Sequence, residues 1–315
     1  IVRLAGLHTL AIKVFPGATN LPLWVAEAYG FLRARGLALD IRDTAGSVEQ
    51  LTELIAGEHD LVMTLMDNVV AYASGQGEVA AAGDSDLVAV IGSDDGFSRL
   101  VVQPDISGLP DLRGRTLSVD AMTTGLAFVL RRLLALNGVE ESTVTFVPAG
   151  GVLQRWQAMM AGRHAATLLV TPFEFMAEPR GLRVLARGSD AVPRYQGNVI
   201  ATRRRWAQDN TDRLVAFCAA WLDALDWLFE PANRAAAIDM VCANMPDMAR
   251  PIAARTCDVF LSPGGFARDG ACDPAAVSGV LELRRAYGPA GGVLAGPDAF
   301  VDARYVARAR ELLAG

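Results

Sequence analysis

Residues 116–136, TLSVDAMTTGLAFVLRRLLAL, decide the fold. Thr116, Leu117, Ser118 and Val119 read as a short buried strand, and beyond a polar turn Leu126, Val129, Leu130, Leu133 and Leu134 recur at helical spacing. Between strand and helix stands a tip of Thr123, Thr124 and Gly125. The first amides of a helix have no partner within it. Such a tip therefore either caps its helix through a threonine hydroxyl or turns its donors, aided by the helix dipole, toward an anion or a carbonyl oxygen.

The 315 residues are 52% hydrophobic and 20% charged, enough apolar material for two lobes, each with its own core, and too much for general disorder. No apolar run approaches the roughly eighteen residues of a membrane span, and IVRLAGLH at the start has no charged segment followed by a long apolar block. The chain is accordingly expected to be soluble or already processed. A net charge of −6 argues against nucleic acid as a partner, and Arg203, Arg204 and Arg205 read as a solvated face. Cys218, Cys242, Cys257 and Cys272 show no CxxC spacing, so no metal site is expected. Their even number suits either disulfides in an oxidising compartment or buried free thiols. If they pair, helices running antiparallel about Pro231 would bring Cys218 beside Cys242, leaving Cys257 for Cys272.

Taken in order, residues 10–15 alternate as a strand and run into the turn PGATN, after which Pro22 opens the helix PLWVAEAYGFLRARG. A strand at 38–42 leads to Gly46 and Ser47, where Ser47 and Gln50 have the spacing of a capping box. Residues 59–64 form the next strand, and Asp67 is placed to cap a helix over 68–74 that Gly75 stops. A loop, GQGEVAAAGDSD, precedes a strand from Leu87 that ends in an acidic corner at Ser93, Asp94 and Asp95. Further strands are expected at 100–102, 144–147, 167–170, 182–185 and 199–202, and from there the sequence turns helical: 211–229, 231–244, and helices starting near Asp247, Pro274 and Asp302. These late helices are expected to pack on the first lobe.

A shift of 105 residues aligns Gly46 with Gly151, Leu54 and Ile55 with Met159 and Met160, and AGEH (56–59) with AGRH (161–164). Strand, glycine tip, helix and strand thus occur twice, as successive units of a parallel sheet do. The turn DLRGR (111–115), the following strand, the Thr-Thr-Gly tip and its helix together resemble the second lobe of periplasmic substrate-binding proteins, and PLWVAEAYGFLRARGLALDI resembles the segment after their first strand. The subgroup it is similar to is the NMT1/THI5-like and SsuA-like one, which serves importers of nitrate, sulfonate, taurine and thiamine precursors. That family usually has Asp-Ala after the second Gly; Ala165 and Ala166 stand there instead.

The resemblance implies an α/β fold of the two-lobed type II binding-protein class, two parallel-rich sheets flanked by helices with two chain crossovers. The expected lobes are residues 1–93 with 199–315, and 94–198. It implies a solute-binding component of an ABC importer that closes by hinge bending, works as a monomer with membrane permease subunits, and resides in the periplasm or outside the cell on a lipid anchor. Ligands in such folds lie beyond the carboxyl ends of the strands, which nominates the tips. The candidates are Thr19, Asn20, Ser47, Asp67, Asn68, Ser93, Asp94, Thr123, Thr124, Gly125, Gly151, Thr171, Phe173, Glu174 and Tyr195. Phe173 and Tyr195 are the expected platforms for a ring or apolar part, whereas Trp24 and Trp156 read as core.

No catalytic group and no cofactor is expected. His8, His59 and His164 are scattered, the last two reading as helix-end cations or surface residues, and adjacent Asp94 and Asp95 point in different directions. GQGEVA follows a helix, where a dinucleotide fingerprint must follow a strand. Rival functions are a THI5-type pyrimidine synthase, which needs a cleft histidine and a cysteine-rich motif, and the sensing module of a regulator. No arginine stands at any tip, so the expected ligand is an organic carboxylate, sulfonate or heterocycle rather than a compact oxyanion.

Overall fold

The computed structural model describes residues 6–80, 85–290 and 294–315, so part of the loop GQGEVAAAGDSD and most of the opening IVRLAGLH lie outside the described residues. The first stretch of chain forms β1 (His8–Val14), α1 (Leu21–Ala28), β2 (Leu37–Asp43), α2 (Ser47–Ala56), β3 (Leu61–Leu65), α3 (Met66–Ala73) and β4 (Leu87–Gly92). It then crosses to β5 (Ser98–Val102), β6 (Thr116–Val119), α4 (Gly125–Leu136), β7 (Thr145–Pro148), α5 (Val152–Met160), β8 (Ala166–Val170), α6 (Phe173–Ala177), β9 (Arg183–Arg187) and α7 (Gly188–Ala191). It returns through β10 (Asn198–Arg203) and ends in α8 (Arg204–Asp209), α9 (Thr211–Phe229), α10 (Arg234–Asn244), α11 (Arg250–Phe260), α12 (Pro274–Tyr287) and α13 (Arg304–Ala314).

Two five-stranded sheets result, in the orders β2-β1-β3-β10-β4 and β7-β6-β8-β5-β9. In the first, β1 is parallel to β2 and β3, and β10 is antiparallel to both its neighbours; in the second, β6 is parallel to β7 and β8, and β5 is antiparallel to both of its own. The sequence repeat is thus also a repeat of topology, with α2 matching α5. The antiparallel strand of each sheet is the one the chain enters just after crossing from the other. This is the expected α/β fold with two sheets flanked by helices.

The cores depart from the expectation of one per lobe. One cluster packs a face of the first sheet (Leu10, Ile12, Val14) against α1, α9, α10 and α11, and a small one packs Val101 and Leu169 against α5 and α6. The remaining cluster is shared: Val62, Leu87 and Ala89 of the first sheet join Leu100 and Leu117 of the second through α3, α4 and α12. The cause is α12, whose Val277, Val280, Leu281 and Leu283 make a stripe broad enough to lie on α3 and α4 together. Not all late helices therefore belong to the first sheet.

Local corrections have simple causes. Gly46, not Ser47, is the N-cap of α2, and Gln50 makes no capping box; its amide donates to the Lys13 and Met63 carbonyls, both at 2.9 Å, tying β1 to β3. His59 is buried rather than a surface cation, its Nε2 lying 2.6 Å from Glu53. Lys13 stands between Glu49 and Glu53 and holds both carboxyls below their usual range. The helix expected near Asp247 starts at Arg250 and that expected from Asp302 starts at Arg304, while α12 starts at Pro274 as expected, with Asp273 as its cap accepting from the Ala275 amide at 3.0 Å.

All four cysteines are free thiols. The Cys218–Cys242 pairing fails because α10 packs on α11 and α1, while Cys218 is buried in the core where α9 meets α1. Burial pushes the Cys257 and Cys272 thiols up to about 11 and about 12 and the Cys218 thiol higher still, so these three are not ready thiolates at neutral pH. Thiol titration without reductant is expected to find four groups in denaturant, with Cys218 unreactive in the native protein. Non-reducing peptide mapping that recovered a Cys218–Cys242 or Cys257–Cys272 peptide would contradict this structure.

Candidate functional site

Residues that follow β1, β3, β6, β7 and β8, together with Asn198 at the start of antiparallel β10, line one cleft with about 620 Å³ between its walls, open solvent included. Of the residues nominated from the sequence, Thr19, Asn68, Thr124, Gly151, Thr171 and Phe173 line it. Phe15, Asp120, Arg155 and Asn198 line it as well, with Leu65, Leu126, Val152 and Val170 as apolar wall.

The tip that organises the sequence does not cap itself. Thr124 is the N-cap of α4, but its hydroxyl donates to the Ala121 carbonyl at 3.1 Å, and Thr123 gives its amide and hydroxyl to Glu78 on the rim. The N-termini of α4 and α5 both lack a side-chain cap and both border the cleft. Their free amides favour negative charge there. At α5 the tip depends on glycine: Gly150 has φ +79°, and a Cβ on Gly151 would lie 3.0 Å from the Phe15 ring and 3.1 Å from the Ala45 carbonyl, to which the Gly151 amide donates at 2.9 Å.

No arginine stands at the nominated tips, yet Arg155 lines the cleft. It is only 3% exposed, and it stands one helical turn beyond Gly151, where the lean of helical side chains toward the N-terminus returns it to the tip. Its Nε donates to the Gly150 carbonyl at 3.1 Å and its Nη1 to the Leu168 carbonyl, while Nη2 has no acceptor among the described residues. No carboxylate of the described residues lies within 4.0 Å of the guanidinium. Burial pushes its pKa down, and the charge of Asp120 opposes that. Asp120, directly after β6, accepts the Ser47 hydroxyl at 2.7 Å; burial pushes its carboxyl up, with Arg155 opposing. Arg155 and Asp120 are the only ionisable residues in the described lining.

Aromatic and amide side chains set the remaining walls. Phe173 lies 5.8 Å from Trp156 between ring centroids, and Asn20 fixes the Phe15 turn by donating to the Phe15 carbonyl at 2.9 Å. The Asn68 amide donates to Thr64 and the Asn198 amide to Asp94, at 2.9 and 2.8 Å, so both are oriented from behind. Glu174 stands behind Thr171, accepting its hydroxyl at 2.6 Å, and burial pushes its carboxyl up.

The other nominated residues stand behind or beside the cleft. Asp94 is wholly buried at the crossovers, accepting from Gly96 and Asn198, with Ser93 next to it. Asp67 caps nothing; its carboxylate is fully buried against Arg284 of α12, with Nε–Oδ1 at 2.8 Å and Nη2–Oδ2 at 2.5 Å. Arg284 also donates to the Thr123 carbonyl at 2.9 Å and lies 5.0 Å over the Phe128 ring. Gly125 fits tightly here, since a Cβ would come within 2.3 Å of the Tyr195 hydroxyl. Tyr195 therefore braces the α4 tip from outside the cleft, so Phe173 and Phe15, rather than Tyr195, supply the aromatic lining.

A sequence model described as NMT1/THI5 like matches residues 18–235. Comparison with curated proteins finds no match. Among solved structures, the chain is similar to a protein of Bordetella bronchiseptica RB50, at 20% identity over 98% of both chains with a TM-score of 0.81. It is also similar to the alkanesulfonate-binding protein SsuA from Xanthomonas axonopodis pv. citri bound to MOPS, at 18% identity over 95% of this chain and 99% of that one, TM-score 0.75. The periplasmic nitrate-binding protein NrtA from Synechocystis PCC 6803 matches at 13% identity over 98% of this chain and 89% of that one, TM-score 0.79.

The Arg284–Asp67 pair gives a direct test of how the α4 tip is held. Arg284→Met leaves a buried carboxylate without its partner and is expected to cost about 3–5 kcal/mol in urea unfolding. Pairing it with Asp67→Leu should recover most of that loss. A single variant as stable as the parent would mean that the pair does not hold the tip.

Proposed function

The chain belongs to the NMT1/THI5-like family, and from that premise we propose that it is the solute-binding component of an ABC importer. It takes a small organic solute into the cleft and presents it to membrane permease subunits, acting in the periplasm or on the outer face of a membrane, as a binder and not an enzyme. The observation that carries the reading is Arg155: a buried guanidinium with an unused donor, at a cleft where two uncapped helix ends also favour negative charge. Burying a cation without a counter-ion is costly, and a ligand anion offsets that cost. The apolar and aromatic wall of Phe15, Leu65, Leu126, Val152, Val170 and Phe173 favours a solute that also carries hydrocarbon or a ring.

The lobes in this reading are 1–93 with 199–315, and 94–198, closing on the ligand about the crossings at Asp94 and Gly197. Thr19, Asn68, Thr124, Gly151, Thr171 and Phe173 touch the solute, with Arg155, Asp120, Phe15 and Asn198 added to them. Asn20, Ser47, Asp67, Ser93, Asp94, Thr123, Gly125, Glu174 and Tyr195 hold these groups in place. A synthase of the THI5 type is disfavoured by where its chemistry would have to lie: neither His59, paired with Glu53, nor any of the four cysteines lines the cleft.

A thermal-shift screen of small carboxylates, sulfonates, pyrimidines and aromatic acids tests the reading. A true ligand at 100 times its dissociation constant adds about 2.7 kcal/mol of stability. It should also reduce the radius of gyration in solution scattering, and Phe173→Ala and Arg155→Gln should each abolish both effects at that concentration. Turnover of the ligand, or stabilisation that both variants retain, would refute it.

A further inference from the structure

The cleft has two poles. Of its described lining residues only Arg155 and Asp120 are ionisable, so its formal charge is zero although one end is cationic and the other anionic. Arg155 lines the cleft and keeps Nη2 without an acceptor among the described residues. Asp120 takes the Ser47 hydroxyl on Oδ2, and its carboxyl also faces the Ser47 backbone amide, but no cationic side chain of the described residues stands within 4.0 Å of it. The two groups feel each other's charge yet are more than 4.0 Å apart, so they do not neutralise each other as a contact ion pair.

A simple anion at Arg155 is repelled by Asp120, and Glu78 at the rim adds negative charge on the Asp120 side. A simple cation at Asp120 meets Arg155 in the same way. Each pole therefore selects against the single-charge ligand suited to the other, which is how specificity arises from repulsion as well as attraction. Only a ligand with charges of both signs satisfies the cleft without leaving a buried charge unpaired.

Resting on the solute-binding reading above, we infer that the ligand is a zwitterion, with its carboxylate or sulfonate on Arg155 and its ammonium or protonated ring nitrogen on Asp120. Phe15 and Phe173 line the same cleft and offer the carbon framework an apolar wall.

The probes are straight-chain ω-amino carboxylates of two to five methylenes, each beside the carboxylate lacking the amine and the amine lacking the carboxylate, at equal concentration in thermal-shift and calorimetric titrations. At least one amino carboxylate is expected to bind about tenfold or more tightly than either single-charge relative. Asp120→Asn keeps an acceptor for Ser47 and the shape of the side chain; it should erase that preference and bind the plain carboxylate at least as well as the parent does. Arg155→Gln, checked for native circular dichroism, should shift preference to the plain amine. Carboxylates that bind as tightly as the amino carboxylates, with a ratio unmoved by Asp120→Asn, overturn the inference while leaving the solute-binding reading intact. A panel in which no zwitterion stabilises the protein overturns it too, and the wider screen of acids and pyrimidines then decides whether the solute-binding reading falls with it.

Discussion

Everything in this fold hangs on the place where the chain crosses between sheets twice. Asp94, on the outward crossing, accepts from the Gly96 amide and from both the amide and the side chain of Asn198 on the return crossing, and Gly197 donates its amide to the Asp94 carbonyl. The two passes lie so close that a Cβ on Gly197 would come within 2.1 Å of the Gly96 nitrogen. A carboxylate with several charge-assisted donors is a strong clamp in a buried setting. Because β5 and β10 are the strands entered from this junction, fixing it fixes the antiparallel member of each sheet, and with it the direction in which the parallel strands aim their carboxyl ends.

The cleft presents polar groups that lack contact partners. Behind it, several side chains tie strands and helices together: Gln50 bridges β1 and β3, Gln103 donates to the Met159 and His164 carbonyls, and Thr167 donates to Ser118. In front, two helix N-termini have no side-chain cap, Arg155 keeps a spare donor and Asp120 has no cationic side chain within 4.0 Å among the described residues. Leaving such groups without partners weakens the free protein, and a ligand that supplies those partners recovers the difference as affinity.

Contacts across the cleft show how the halves meet. Gly151 donates to Ala45, Ser47 to Asp120, Thr123 to Glu78, and Arg255 of α11 both pairs with Glu178 and lies 4.0 Å over Phe175. These are polar or rim contacts of the kind that open and reform at modest cost. The far side differs: α12 covers α3 and α4 with one continuous apolar core and the buried Arg284–Asp67 pair. The halves are thus joined by single polar contacts at the cleft and by continuous apolar packing along α12.

The sequence by itself determined the architecture. Strand, glycine tip and helix are local patterns set by periodicity and backbone freedom, so residues 116–136 and the repeat of Gly46 at Gly151 were legible without contacts, as were the crossings near Ser93 and Asn198. Six of the residues nominated at the tips line the cleft for the same reason, since the tips gather wherever the parallel strands end. Only the tertiary structure decided what each polar group faces. Asp67 read as a local cap until α12, more than two hundred residues away, placed Arg284 on it, and Ser47 read as a capping box until Asp120 arrived from the other sheet. Arg155 was invisible at the tips because it lies a turn further along α5 and returns to the cleft only through the lean of a helical side chain. Whether a charge ends up paired or unpaired depends on neighbours distant in sequence, and no periodicity records it.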